Sequence, residues 1–185
     1  NFTGASSKKN FYILKKNNIK IPVFKTNIKN FSKINKLIKK INPITIYNLS
    51  GQVAVTKSIQ NPKQDFEDNL LSTFNILEVI RNYNKKIRLI TVSSNKVYGD
   101  LKDLKIVEKK FQYESNKNVN ENIKLNFKTP YSCSKGAADQ YVIDYARIFG
   151  LNTIVLRLSC VYGPYQWGTE DQGWISWFIK RTIQK

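Results

Sequence analysis

Thr129-Pro130-Tyr131-Ser132-Cys133-Ser134-Lys135 opens the stretch that decides the fold, and Thr153-Ile154-Val155-Leu156-Arg157-Leu158 closes it. Thr129 is an N-cap residue whose hydroxyl can accept an orphan N–H of the first turn. Pro130 stands in that turn, where its lack of an N–H costs nothing. The helical pattern then runs to Phe149, and Gly150 ends it. A β-branched strand follows. Upstream, Arg88 to Val92 is another such strand, and it runs into Ser93 and Ser94. Strand, long helix, strand is the repeating unit of a parallel α/β sheet.

Working outward, the alternation continues. Ser7 to Asn17 is expected to be helical and Ile19 to Phe24 a short strand. Phe31, Ile34, Leu37, Ile38 and Ile41 fall at helical spacing. Ile44 to Asn48, closed by Leu49-Ser50-Gly51, is expected as a buried strand. Phe66 to Tyr83 is expected as one long helix, burying Phe66, Leu70, Phe74, Leu77, Val79 and Ile80. Lys102 to Lys128 is polar and carries no readable period. A Gly/Pro loop after Leu158 leads into a helix from about Gly173. Asn69 is expected to satisfy backbone groups, and Trp174, Trp177 and Phe178 to form a core or interface cluster.

Composition removes several classes of function. The 185 residues are 41% apolar, enough for one core. No run of about 18 apolar residues could span a membrane, and the polar start lacks the centre of a signal peptide. With two cysteines and no histidine, neither a disulfide framework nor a zinc site has its ligands, and histidine-based triads are excluded. No metal is expected, and the compartment is expected to be a reducing cytoplasm. The net charge of +18 raises a nucleic-acid reading, because 13 lysines precede the first acid, Asp65. Only five of the 31 basic residues are arginine, the better reader of phosphates and bases. The charge therefore reads as a solvated surface.

The chemistry begins with Tyr131 and Lys135, one helical turn apart on one face. A phenol of pKa about 10 is a poor base at neutral pH, but a nearby ammonium favours the phenolate. Such a pair can take a hydroxyl proton while hydride leaves the same carbon. Three other Tyr-x-x-x-Lys spacings occur, at Tyr12/Lys16, Tyr98/Lys102 and Tyr113/Lys117. Only Tyr131/Lys135 combines a capped helix start with an upstream strand ending in hydroxyls. Ligands of open α/β sheets bind beyond those strand ends. The plainer alternative is that Ser93 and Ser94 cap a turn.

These segments together resemble the extended short-chain dehydrogenase/reductase family, the NAD-dependent sugar-nucleotide epimerases and dehydratases. Within it, the group of CDP-paratose (CDP-tyvelose) 2-epimerases is the nearest in four stretches. They are Gly51 to Thr56, Asn95 to Leu101, Lys135 to Tyr141 and Gly168 to Trp174. The resemblance implies that Tyr131 is the acid/base, Lys135 its pKa setter and a ribose contact, and Ser94 the hydroxyl that orients the reacting oxygen. It implies NAD contacts at Leu49, Ser50, Gly51, Val92, Ser93, Tyr131, Lys135 and Ser159. Asn95, Lys96, Gln166, Thr169, Glu170, Asp171 and Gln172 would face a nucleotide-sugar, with CDP as the expected nucleotide. Helices 66–83 and 130–149 would pair in a homo-oligomer. Cys160 would be a pocket wall.

Two departures from the family pattern stand out. The 4,6-dehydratases carry an acidic pair directly after the strand-end hydroxyl, where this chain has Asn95 and Lys96. Those cannot serve as acid and carboxylate, which favours epimerisation. No Gly-x-Gly-x-x-Gly turn occurs, so the phosphate cradle is expected before Asn1. The expectation is a partial Rossmann-like doubly wound sheet lacking strands 1 and 2. Residues 1–160 would be an incomplete NAD-binding domain and 161–185 the start of a substrate-binding region. Strands 4, 5 and 6 would stay intact. Residues 1–42 would be displaced, or strand 3 would fill the edge beside strand 4. The isolated piece is expected to be inactive. Alternatives are a C4-epimerase or a 4,6-dehydratase of the same family, or a noncatalytic basic module.

Overall fold

A computed structural model describes residues 5–18, 20–102 and 104–184. In chain order the helices and strands are α1 (Ala5–Lys16), α2 (Phe31–Ile41), β1 (Thr45–Asn48), α3 (Val55–Gln60), α4 (Pro62–Phe66), α5 (Ser72–Tyr83) and β2 (Arg88–Ser94). There follow β3 (Ile106–Glu108), β4 (Tyr113–Ser115), α6 (Pro130–Phe149), β5 (Thr153–Leu158) and α7 (Trp174–Ile183). The chain divides into two compact units, one of residues 28–158 and one assembled from 1–27 and 159–185.

In the larger unit, the sheet is parallel with order β1-β2-β5. Thr45 pairs with Arg88 and Asn48 with Thr91; Leu89 pairs with Thr153 and Ser94 with Leu158. These are the expected strands 4, 5 and 6, in the expected order. Leu89 packs under Ile34 and Ile38 of α2, Ile76, Leu77, Val79 and Ile80 of α5, and Val142 and Tyr145 of α6. Each fully buried aliphatic side chain contributes about 1.5–3 kcal/mol. The opposite face is much more open, with Tyr47, Ile154, Leu156 and Leu158 exposed.

Helix α6 starts and stops as its sequence dictates. Thr129 Oγ1 accepts the N–H of Ser132, and Ser132 Oγ accepts that of Thr129. This reciprocal capping box satisfies two orphan donors. Gly150 ends the helix in the left-handed conformation.

The segment 44–48 forms the expected strand, over Thr45–Asn48, but not a buried one, Ile44 and Tyr47 being exposed. Four further expectations are corrected. Ile19 lies outside the described residues, and 20–24 form no strand. Pro22 has no N–H to give, and no strand among the described residues pairs with this segment. Residues 31–42 are not displaced, because Ile34 and Ile38 belong to the core.

The long helix is the third correction. It begins early, at Pro62 under an Asn61 cap, and is interrupted by a π-helical turn over Glu67–Leu71. Extra residues in that turn change which side faces inward. Phe66 is half exposed, while Asp65 and Asn69 are buried. Fourth, α7 buries no residue, so Trp174, Trp177 and Phe178 do not form a core within their unit. Trp174 and Phe178 meet edge to face at 6.3 Å. The unreadable stretch 102–128 contains an exposed antiparallel hairpin, β3 with β4.

Candidate active site

The carboxyl end of β2 delivers Ser93 and Ser94, and the first turns of α6 deliver Tyr131 and Lys135. All four are buried. Ser94 Oγ accepts the N–H of Lys96 at 3.2 Å, which sets the hydroxyl at the start of a 3-10 turn, Asn95–Tyr98. Burial pushes the Tyr131 phenol above its ordinary value, a hydrogen bond from Ser94 pulls it down, and the charge of Asp65 raises it. Burial pushes Lys135 below its ordinary value, with Asp65 opposing. Lys135 Nζ donates to the Val92 carbonyl at 3.1 Å. An ammonium taken from water needs such an acceptor. In this state the lysine is turned to the strand end.

Gly51 closes the corner from the β1 side. Its φ is +143°, and a Cβ there would run into Asn69 Oδ1 and come within 3.2 Å of Lys135 Nζ. Only glycine allows this approach. The glycine cradle and the buried, unpartnered hydroxyl of Ser93 lie on the side of the sheet where open α/β folds bind nucleotides. This donor set fits a dinucleotide. Ser50 Oγ donates to Asn48 Oδ1 at 2.5 Å, while Leu49 is exposed.

Beneath the corner lies a polar network that sequence reasoning missed. The Asp65 carboxylate accepts from Gln52 Nε2 at 2.8 Å, from Asn69 Nδ2 at 3.3 Å and from the Ser134 hydroxyl. Asn69 Nδ2 also donates to Ser134 Oγ at 3.0 Å. Asn69 thus serves side chains and not the backbone groups expected of it, and its Oδ1 is buried without a partner. Asp65 lies just before the helix that the sequence pattern marks out from Phe66, so that pattern carried no signal for it. A second clamp holds the 3-10 turn. Arg157 grips Asp139 with two bonds, at 2.7 and 2.8 Å, and reaches the Tyr98 hydroxyl at 3.0 Å.

Asn95 and Lys96 sit beside Ser94 on the 3-10 turn and are exposed. Ser159, Gln166 and Thr169 to Gln172 belong to the smaller unit. There Thr169 and Gln172 form a tight two-way backbone bridge at 2.7 and 3.1 Å. Gln166 Nε2 donates to the Val161 carbonyl at 2.9 Å. Gln166 and Gln172 line an open cavity of about 280 Å³ together with Asn10, Tyr165, Trp167 and Gly173. Glu170 and Asp171 are exposed, as is Cys160. Among the described residues no cluster of metal ligands occurs, and no helix is long and apolar enough to cross a membrane.

Comparison with known proteins places this geometry. The family described as GDP-mannose 4,6 dehydratase matches residues 3–185. CDP-paratose 2-epimerase of Salmonella typhi is 48% identical over 160 residues, covering 85% of this chain and 47% of that protein. A dTDP-glucose 4,6-dehydratase of Salmonella typhimurium is 32% identical, over 72% of this chain and 38% of that enzyme. Among solved structures, Thermus thermophilus UDP-glucose 4-epimerase in complex with NAD superposes with a TM-score of 0.75 at 26% identity. It covers 89% of this chain and 49% of that one. The chain thus spans about half the length of the relatives it matches, or less.

Proposed function

This chain belongs to the GDP-mannose 4,6 dehydratase family, and on that premise we propose that it carries the catalytic corner of an NAD-dependent nucleotide-sugar epimerase acting at C2 of a CDP-linked sugar. The observation that carries the reading is the buried Ser94–Tyr131–Lys135 corner beside Asn95 and Lys96. The corner moves a proton on and off a sugar hydroxyl. Neither neighbour can protonate a departing hydroxide or take a proton next to it, so the chain favours epimerisation over dehydration. The 48% identity to a CDP-paratose 2-epimerase supports the choice of carbon and nucleotide.

Tyr131 takes the proton from the sugar hydroxyl and returns it after the ketone has turned its other face. Ser94 orients the oxygen between these two transfers. Lys135 supplies the positive charge that favours the tyrosinate. Leu49, Ser50, Gly51, Val92, Ser93 and Ser159 would hold NAD with the tyrosine and lysine. NAD supplies a hydride acceptor that gives the same hydride back. Gln166 and Thr169 to Gln172 would face the nucleotide-sugar, residues 1–160 forming the cofactor-binding part and 161–185 the start of the substrate region. Residues 66–83 and 130–149 support a homo-oligomer, since Phe66, Tyr141, Ile143 and Ile148 leave apolar surface on those helices. A cytoplasmic location is consistent with this chemistry.

The test is to incubate the whole protein that carries this chain with CDP-tyvelose or CDP-paratose deuterated at C2. The expected result is interconversion with the label retained and no net reduction of NAD. Loss of water from dTDP-glucose, or inversion of UDP-glucose at C4 with no action on either CDP-sugar, would overturn the assignment.

A further inference from the structure

One buried acid stands under the proton-transfer pair without a part in the steps above. Asp65 is 1% exposed, and no lysine or arginine among the described residues lies within ion-pair distance of it. A carboxylate buried in this way is expensive unless hydrogen bonds and a fixed counter-charge repay it. Three side-chain donors serve it, Gln52, Asn69 and Ser134. Ser134 lies directly before Lys135 and three residues after Tyr131. Asn69 belongs to the π-helical turn, so the carboxylate bridges that turn to the start of α6.

The other charged groups packed around α6 are engaged elsewhere or lie on the surface. Glu67 and Asp68 of the π turn pair with Lys29. Glu78 of α5 holds Arg81 and the Tyr145 hydroxyl. On α6 itself Asp139 is bound by Arg157 of β5. Lys57 of α3, Lys63 of α4, Arg88 of β2 and Lys96 of the 3-10 turn are exposed. Asp65 is the acid whose charge reaches both Tyr131 and Lys135.

We propose that Asp65 is a positioning residue for the proton-transfer pair: its carboxylate, bonded by Ser134 directly before Lys135, ties the first turns of α6 to the π-helical turn and sets a fixed negative charge beside them. This rests on the reading of Tyr131 and Lys135 given above. Burial favours loss of the Lys135 proton, and the charge of Asp65 opposes that loss. The same charge holds the proton on Tyr131 more firmly. A tyrosine that must return a proton as well as take it gains from this balance. Removing the charge lets both groups deprotonate at lower pH, so the whole activity window moves toward acid.

Two measurements on the whole protein test it. The first is the tyrosinate absorbance titration of Tyr131, isolated by subtracting the same titration of a Tyr131→Phe background. In Asp65→Asn the midpoint falls by about one pH unit, and in Asp65→Glu it returns toward the wild-type value. Asp68→Asn leaves it in place. The second is the pH profile of CDP-paratose and CDP-tyvelose interconversion, in which both limbs shift to lower pH in Asp65→Asn. If Asp65→Asn does not fold, Asp65→Ser, which also removes the charge, gives the reading instead, with a shift in the same direction. An unmoved midpoint in whichever variant folds overturns the proposal. A moved midpoint in a protein inactive on both CDP-sugars leaves the Asp65 assignment standing and removes the epimerase reading.

Discussion

The corner at Ser94, Tyr131 and Lys135 and the loop of residues 159–173 are expected to serve one reaction, yet they are built on opposite plans. In the corner the functional side chains are buried, and the network beneath them joins residues far apart in sequence, Asp65 and Ser134 being 69 residues apart. In the loop most side chains are exposed, and order comes from backbone contacts such as the Thr169–Gln172 bridge and the left-handed Gly173. A group that transfers a proton needs a fixed position and a tuned charge, which burial supplies. A group that recognises a substrate's outline needs access to solvent and a shaped main chain. Substitutions in the corner should therefore act on turnover, and those in the loop on affinity.

The largest expected effect is in the corner. Tyr131→Phe in the whole protein should reduce turnover about a thousandfold while NAD binding, followed by cofactor fluorescence, stays largely intact. Activity within a few-fold of wild type would break the comparison at its strongest point. Next is the second clamp. Asp139→Ala leaves the Arg157 guanidinium without its bidentate partner in a site where the acid is fully buried. Breaking such a pair costs about 3 kcal/mol, readable as a clear fall in Tm. An unchanged Tm would mean that the clamp holds the 3-10 turn without stabilising the fold.

Gly51→Ala should be milder. The left-handed φ and the collision with Asn69 cost about 1–3 kcal/mol, seen as a lower Tm and weaker NAD binding in calorimetry. An alanine variant with wild-type NAD affinity would remove Gly51 from the cradle. The smallest effect belongs to the loop. Gln166→Ala should raise KM for the CDP-sugar about threefold with kcat nearly unchanged, the signature of lost uniform binding. A fall in kcat with KM constant would show that the loop takes part in the chemistry, and the contrast would fail.

The sequence was a good guide wherever the deciding interactions are local. Residues 31–41 and 153–158 form the helix and strand that their periods imply. The Thr129 cap and the Gly150 stop are where their chemistry requires them. That Tyr131 and Lys135 share one face followed from helix geometry alone. It failed at residues 20–24, where apolar, β-branched composition suggested a strand but Pro22 and the lack of a ladder decide otherwise. It failed again along 62–83, where the helix starts at Pro62 and is interrupted by a π-helical turn, and where Phe66 is half exposed while Asp65 is buried.

By itself, then, the sequence determined the parallel α/β order, the ends of α6, the family likeness and the pairing of Tyr131 with Lys135. Each of these is read from caps, periods and motifs that are themselves only a few residues long. Only the tertiary structure decided that Asp65 lies under that pair, that Gly51 meets Asn69 and Lys135, and that Arg157 clamps Asp139 and Tyr98. Those contacts join residues 18 to 84 positions apart. No local period encodes them, because they arise only when packed elements exclude water and leave each buried polar group to find a partner.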